Sequence, residues 1–169
     1  MKKLNQILCK FLIIAPLIFS TALSSDKIVG KAKVIDGDTI TINSINIRFS
    51  GIDAPESFYK GKSQICNLLS NNELVNCGKI SKITLENKIK ENIITCIKET
   101  VDRYNRVIAE CFLNEESLSK YMVRSGYAFD YVKFSKGKFQ NDQVFAKKNK
   151  LGLWNMSFKY PWIWRKMNK

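Results

Sequence analysis

From Asp26 to Leu113 most apolar residues fall in short runs that alternate with polar ones, the period of a half-buried β-strand. The run K-I-V-G-K-A-K-V-I, ending at Ile35, alternates imperfectly and predicts a first strand. Ile40 and Ile42 then alternate with Thr39 and Thr41, and Ile45, Ile47 and Phe49 alternate with Asn46, Arg48 and Ser50. Asp36-Gly37 marks a bend before these two runs, Asn43-Ser44 the turn between them, and Ala54-Pro55 a stop after them. The β-branched stretch Ile93 to Ile97 and the run Val107 to Leu113 predict two further strands, joined by a turn over Thr100 to Asn105. Residues 57–78 read as a polar loop region.

Helical spacing enters between and after the strands. Lys79 to Asn92 carries an apolar stripe of Ile80, Ile83 and Ile89. Asn114 is the expected cap of a short second helix, with Glu115 and Glu116 at its positive end, Leu118, Tyr121 and Met122 on one face, and Gly126 as its stop. A third helix is predicted from Phe139 to Lys150, ended by Gly152. Trp154, Trp162 and Trp164 predict a tail packed against the body, with a membrane-interface belt as the alternative. Five strands with helices inserted late predict an α+β fold: a small, strongly curved five-stranded barrel of the OB kind with about three helices.

Composition adds a targeting segment and a charge. Lys2 and Lys3 precede an apolar run from Phe11 to Leu23, and Ala22, Ser24 and Ser25 offer a cleavage site near 22–25, the layout of a secretory signal over residues 1–25. The run is short for a membrane span, so an uncleaved anchor with an adhesive basic face is the alternative, and Cys9 precedes the run where a lipid anchor would follow it. Residues 26–169 then form one domain. Loss of Lys2, Lys3 and Lys10 lowers the basic count from 28 to 25 against 15 acids, an excess of +10. Such an excess favours polyanionic partners, nucleic acid first.

Four cysteines remain beyond that segment: Cys66, Cys77, Cys96 and Cys111. An even number behind a signal peptide is consistent with two disulfides in an oxidising compartment. Cys96 and Cys111 lie in runs that can face each other across a hairpin, and Cys66 with Cys77 would close a loop after the acidic stretch. Zinc is the competing reading, but spacings of eleven, nineteen and fifteen with no C-x-x-C pair match no finger. The chain contains no histidine, which excludes Ser-His-Asp hydrolysis and every histidine base or ligand. An enzyme of this composition must work with carboxylates, arginines and a hard cation.

Those groups converge between Val34 and Glu56. Asp38, Arg48, Asp53 and Glu56 fall at or near strand ends, and three acids with one arginine suggest a metal and a phosphate. Read blandly, D-G-D is a turn and Arg48 a solvated strand residue. I-D-G-D-T at 35–39, R-F-S-G-I-D-A-P-E at 48–56 and D-R-Y-N-R at 102–106, followed by Y-A at 127–128 and G-L-W at 152–154, resemble the staphylococcal (micrococcal) nuclease, or thermonuclease, family. The resemblance implies a secreted or periplasmic, calcium-dependent endonuclease that hydrolyses DNA and RNA with little sequence specificity, leaving 3′-phosphate and 5′-hydroxyl ends. It implies Asp38, Asp53 and the carbonyl of Ala54 on Ca2+, Arg48 and Arg106 on the scissile phosphate, and Glu56 orienting or deprotonating the attacking water. Tyr104 and Tyr131 match nucleotide-contacting positions, and a monomer without a stable protein partner is the default. Asn105 stands where glycine is usual, and asparagine tolerates the left-handed backbone. The alternative is an OB module that has lost catalysis and binds single-stranded nucleic acid or another polyanion.

Overall fold

The computed structural model describes residues 26–169; the expected signal over 1–25 lies outside the described residues. In chain order the strands and helices are β1 (Lys27–Lys31), β2 (Lys33–Asp36), β3 (Thr39–Ile42), β4 (Ile45–Phe49), β5 (Ile52–Asp53), β6 (Ile65–Leu68), β7 (Leu74–Asn76) and α1 (Cys77–Ile89). There follow β8 (Ile93–Val101), β9 (Val107–Leu113), β10 (Glu116–Ser117), α2 (Leu118–Arg124), β11 (Phe129–Asp130), α3 (Val132–Ser135), α4 (Gln140–Lys148), β12 (Met156–Ser157) and α5 (Pro161–Met167). The main sheet runs β1-β8-β9-β4-β3-β2, antiparallel throughout except for the parallel β4–β9 pair. It curls strongly: a Cβ added at Gly30 in β1 would stand 2.8 Å from Ile42 Cγ2 in β3, so a glycine lets the first strand approach the far side of the sheet. This is the α+β, OB-type half-barrel that the strand pattern predicts.

Alternation explains the core. Ile40, Ile42, Ile47 and Phe49 point inward and are buried with Ile94, while Thr41 and Asn46 hydrogen-bond on the outer face at 2.9 Å. Leu85 and Ile89 of α1 and Leu118 and Met122 of α2 cover the same interior. Each such side chain contributes about 1.5–3 kcal/mol of burial. Asn43 and Ser44 both take positive φ (49° and 65°), the backbone of a two-residue hairpin turn, so β3 and β4 are set in one register.

Four boundaries differ from expectation. The predicted first strand breaks at Ala32 into β1 and β2. The stretch expected as loop, 57–78, contains the β6–β7 hairpin, and α1 starts at Cys77, where the Asn76 side chain accepts from the Lys79 amide at 2.8 Å. The strand expected over 93–97 continues to Val101 because its partner β9 is long enough to pair with it throughout. Asn114 does not cap α2: it occupies a left-handed turn (φ 56°), after which Glu116 and Ser117 pair back onto β9. The cap is therefore Ser117, whose hydroxyl accepts from the Lys120 amide. Among the described residues, the short helices α3 and α5 add to the three expected.

The tail packs on the body as its tryptophans suggest. Phe129 is buried beneath Trp154, Phe158, Tyr160 and Trp162, with ring centroids 4.9–6.3 Å apart. The Cys66–Cys77 disulfide closes the same secondary core, and Cys96–Cys111 bridges directly opposed residues of β8 and β9. Cys96–Cys111 thus joins the two runs expected to face each other across a hairpin, and Cys66–Cys77 closes the loop after the acidic stretch.

Candidate active site

The β3–β4 register sets Thr39 opposite Arg48, so Asp38, just before β3, lies beside the arginine. Arg48 Nη1 donates to Asp38 Oδ1 at 3.0 Å, and Nη2 lies 2.9 Å from Asp38 Oδ2 and 2.5 Å from Asp53 Oδ1. Asp38 also accepts from the Thr39 hydroxyl (2.8 Å) and the Ala54 amide (3.0 Å), which fixes its plane. Asp53 is fully buried on β5, and Ala54-Pro55 turns the chain outward to Glu56.

Two close approaches hold this corner together. A Cβ at Gly37 would lie 2.0 Å from the Ser81 hydroxyl, and one at Gly78 would lie 1.9 Å from the Glu56 carbonyl oxygen. Glycine at both positions allows α1 to press against the bend and the Glu56 backbone. Asp36 accepts from the amides of Gly37 (2.9 Å) and Ser57 (3.1 Å), tying the segment after Glu56 to the end of β2.

A second guanidinium enters from the other end of the chain. Arg165 on α5 donates Nη1 to Asp53 Oδ1 (3.0 Å) and Glu56 Oε1 (2.5 Å), and Nη2 to Asp53 Oδ2 (2.7 Å). Four carboxylates, Asp36, Asp38, Asp53 and Glu56, thus share a space with two guanidiniums. Burial, then the charges of Asp38 and Glu56, push the Asp36 carboxyl up to about 8. Burial also raises Asp53 and Glu56; at Asp53 the arginines oppose it, and at Glu56 the Asp38 charge adds to it while Arg165 opposes it. Burial works against the charge of Arg48, but Asp38 and Asp53 outweigh it and hold the group above its ordinary value.

The structure brings Asp38, Arg48, Asp53, Ala54 and Glu56 into one cluster and gives the other candidates partners of their own. Arg106 pairs with Asp102 (Nε 2.9 Å, Nη2 2.7 Å) in the β8–β9 turn and makes no hydrogen bond to the cluster among the described residues. Asn105 has φ 61°, the left-handed conformation expected of it. Tyr104 is 64% exposed, with the Arg103 and Arg106 guanidiniums 4.8 and 5.6 Å from its ring centre. Tyr131 is half-buried: Trp162 stacks on it at 4.9 Å and Phe134 meets it edge-on. Arg165 and the buried setting of Asp36 are the features that sequence reasoning missed. The tail's aromatic spacing signalled packing, but nothing local tied Arg165 to acids 109 and 112 positions earlier.

Residues 46–156 match the family described as staphylococcal nuclease homologue. The chain belongs to that family. The chain is 32% identical to a succinoglycan biosynthesis protein of Rhizobium meliloti over 78% of its own length and 66% of the relative's. It is 27% identical to a staphylococcal-like nuclease of Arabidopsis thaliana over 76% and 36%, and 30% identical to an uncharacterized endonuclease of Haemophilus influenzae over 81% and 72%. The chain thus spans about two thirds of the first relative and about a third of the second. The span matched to the staphylococcal nuclease homologues holds Arg48, Asp53, Glu56, Arg106 and Tyr131, whereas Asp36, Asp38 and Arg165 lie outside it.

The family implies a metal, and the donor set suits one in kind: carboxylates in excess over guanidiniums, all oxygen, with acid pKa values raised first by burial and then by neighbouring acids. Arg48 Nη2, held between Asp38 and Asp53, marks where positive charge is already favoured. Among the described residues no three acidic or cysteine side chains are arranged as a ready cage; Asp38 accepts from Arg48, and Asp53 from Arg165.

Proposed function

We propose that this chain is an exported endonuclease that hydrolyses phosphodiester bonds of DNA and RNA with calcium and little regard to sequence. One observation carries the reading: Arg48 is gripped between Asp38 and Asp53, and Glu56 is linked through Arg165 to the same Asp53. A phosphodiester is anionic and gains charge as water attacks, so a fixed guanidinium fork in a half-enclosed acidic site is a stabiliser that need not reorganise. Two carboxylates and a backbone carbonyl, from Asp38, Asp53 and Ala54, would hold the cation, which when bound polarises the phosphate and offsets its charge. Glu56 accepts the proton of the attacking water. The water oxygen bonds to phosphorus, the bond to the 5′ oxygen breaks, that oxygen takes a proton from solvent and leaves as a 5′-hydroxyl, and Glu56 returns its proton to solvent, the 3′ side keeping the phosphate. Arg106 would turn from Asp102 toward the phosphate, and Tyr104 and Tyr131 would stack bases.

Export is supported by the signal-like layout of residues 1–25 and by two disulfides, which persist in oxidising compartments. A binding-only reading draws on the pairing of Arg106 with Asp102, which leaves one phosphate-holding arginine in the cluster. Plasmid and single-stranded DNA incubated with calcium, magnesium or EDTA, followed by end-group analysis, separates the two. Calcium-dependent cutting with 3′-phosphate ends is expected. Binding that survives EDTA without any cutting would sink the nuclease reading.

A further inference from the structure

We propose that Arg165 is a positioning residue of the active site, holding Glu56 and Asp53 in their working geometry so that the catalytic unit extends through α5. The inference rests on the nuclease reading above. Arg165 spans the two acids with three hydrogen bonds, and its Nη1 is shared between Asp53 Oδ1 and Glu56 Oε1. The hydrogen bond that the Glu56 carboxylate accepts comes from Arg165, and Glu56 follows a turn instead of lying within a strand. An unanchored glutamate at such a place populates several rotamers, and a base displaced by about 1 Å from its water loses about 100-fold in rate. A guanidinium fork is the side chain that grips two carboxylates in one plane, which an ammonium cannot do.

A detachable plug would make the same contacts, so the mounting of α5 decides between the two roles. Tyr160 and Trp162 stack at 4.6 Å, Trp162 stacks on Tyr131 at 4.9 Å, and Tyr160 packs on the buried Phe129 at 4.9 Å. Pro161 is buried at the first position of the helix, and Gln64, itself buried, donates to the Lys159 carbonyl at 2.6 Å. Lifting α5 would uncover the secondary core. The helix is a wall of the site, and Arg165 belongs to the resting assembly.

The test compares the parent chain with R165Q, R165K, E56Q and the E56Q/R165Q double variant. Single-turnover cleavage of a short oligonucleotide, affinity for an uncleaved phosphorothioate oligonucleotide and thermal melting are measured for each. R165Q should lower the cleavage rate about 10–100-fold, the usual effect of removing a partner that orients a reacting group, with oligonucleotide affinity within about threefold of the parent. R165K should not restore the rate. In the E56Q background, R165Q should cost less than about threefold, because the arginine acts through the glutamate. Losses that multiply in the double variant, or an R165Q enzyme as fast as or faster than the parent, would overturn the inference while leaving the nuclease standing. An R165Q chain that melts before assay transfers the decision to R165K, whose full activity would equally overturn it. A parent that cuts nothing removes the nuclease reading and this inference with it.

Discussion

At the scale of residues, the site is a contest between burial and charge, and each side can be weighed separately. Arg48 is the clearest case, since its fork satisfies Asp38 and buried Asp53 together. Arg48→Lys keeps the charge and loses the fork, so cleavage should fall about 10²–10³-fold, while thermal melting shows a folded protein. Asp102 gives the pH-linked case. Burial alone would raise its pKa, but the Arg106 amide and side chain and the Tyr104 amide outweigh it and lower the group. A carboxylate depressed in the folded state stabilises above its unfolded pKa, about 3.9, and loses that contribution as pH falls through its lower folded value. Asp102→Ala should therefore cost about 1–2 kcal/mol at pH 7 in urea melts. The gap between variant and parent should shrink below about pH 4; a gap unchanged at pH 2.5 would show that the turn does not depend on the ionised group. Asp38, Arg48, Asp53 and Glu56 were legible because a hairpin and two turns hold them within nineteen residues. Arg165 was not, because its place is set by aromatic packing of a tail more than a hundred residues away.

At the scale of elements, strands with clean alternation were readable and short paired segments were not. β3, β4 and β9 appear where period-two patterning put them, since a slip of one residue would turn every buried isoleucine outward. The β6–β7 hairpin was hidden in a polar stretch because its stability comes from pairing, with β12 on one side and a disulfide to the start of α1 on the other. Asn114 had the chemistry of a helix cap, yet pairing of Glu116 and Ser117 with β9 displaced the start of α2 by three residues. Local capping propensity yielded to a tertiary strand pair. The Cys96–Cys111 bridge acts at this scale, locking opposed residues of β8 and β9 across a separation of fifteen. Closing a loop of that size is worth about 3 kcal/mol through the unfolded chain. C96A/C111A should lose about 2–4 kcal/mol in denaturant melts yet retain the β8–β9 register, read by backbone amide exchange, because seven pairs hold it. Loss of register in the variant would mean that the disulfide, and not the ladder, sets the pairing.

At the scale of the whole molecule, two electrostatic systems are superposed, and ionic strength separates them. The surface carries the basic excess, +13 over the full sequence and +10 beyond residue 25. Tyr104 stands exposed with the Arg103 and Arg106 guanidiniums near its ring on the β8–β9 turn, the surface that the proposed function assigns to base stacking. Contacts of this kind release counterions and are screened over about 8 Å at physiological salt. The acidic cluster with Arg48 and Arg165 is largely buried, and buried pairs are screened much less. Capture should therefore be salt-sensitive and chemistry salt-tolerant. If four phosphates are neutralised on single strands, raising salt from 50 to 200 mM should raise KM about 50-fold. Over the same range, kcat at saturating substrate should change by less than about twofold. The Arg103→Ala chain should show a shallower salt slope by about one phosphate's worth with kcat intact. A kcat that fell in step with affinity would mean that the reacting phosphate is held by exposed charges, and the buried cluster would then not be where the bond is cut.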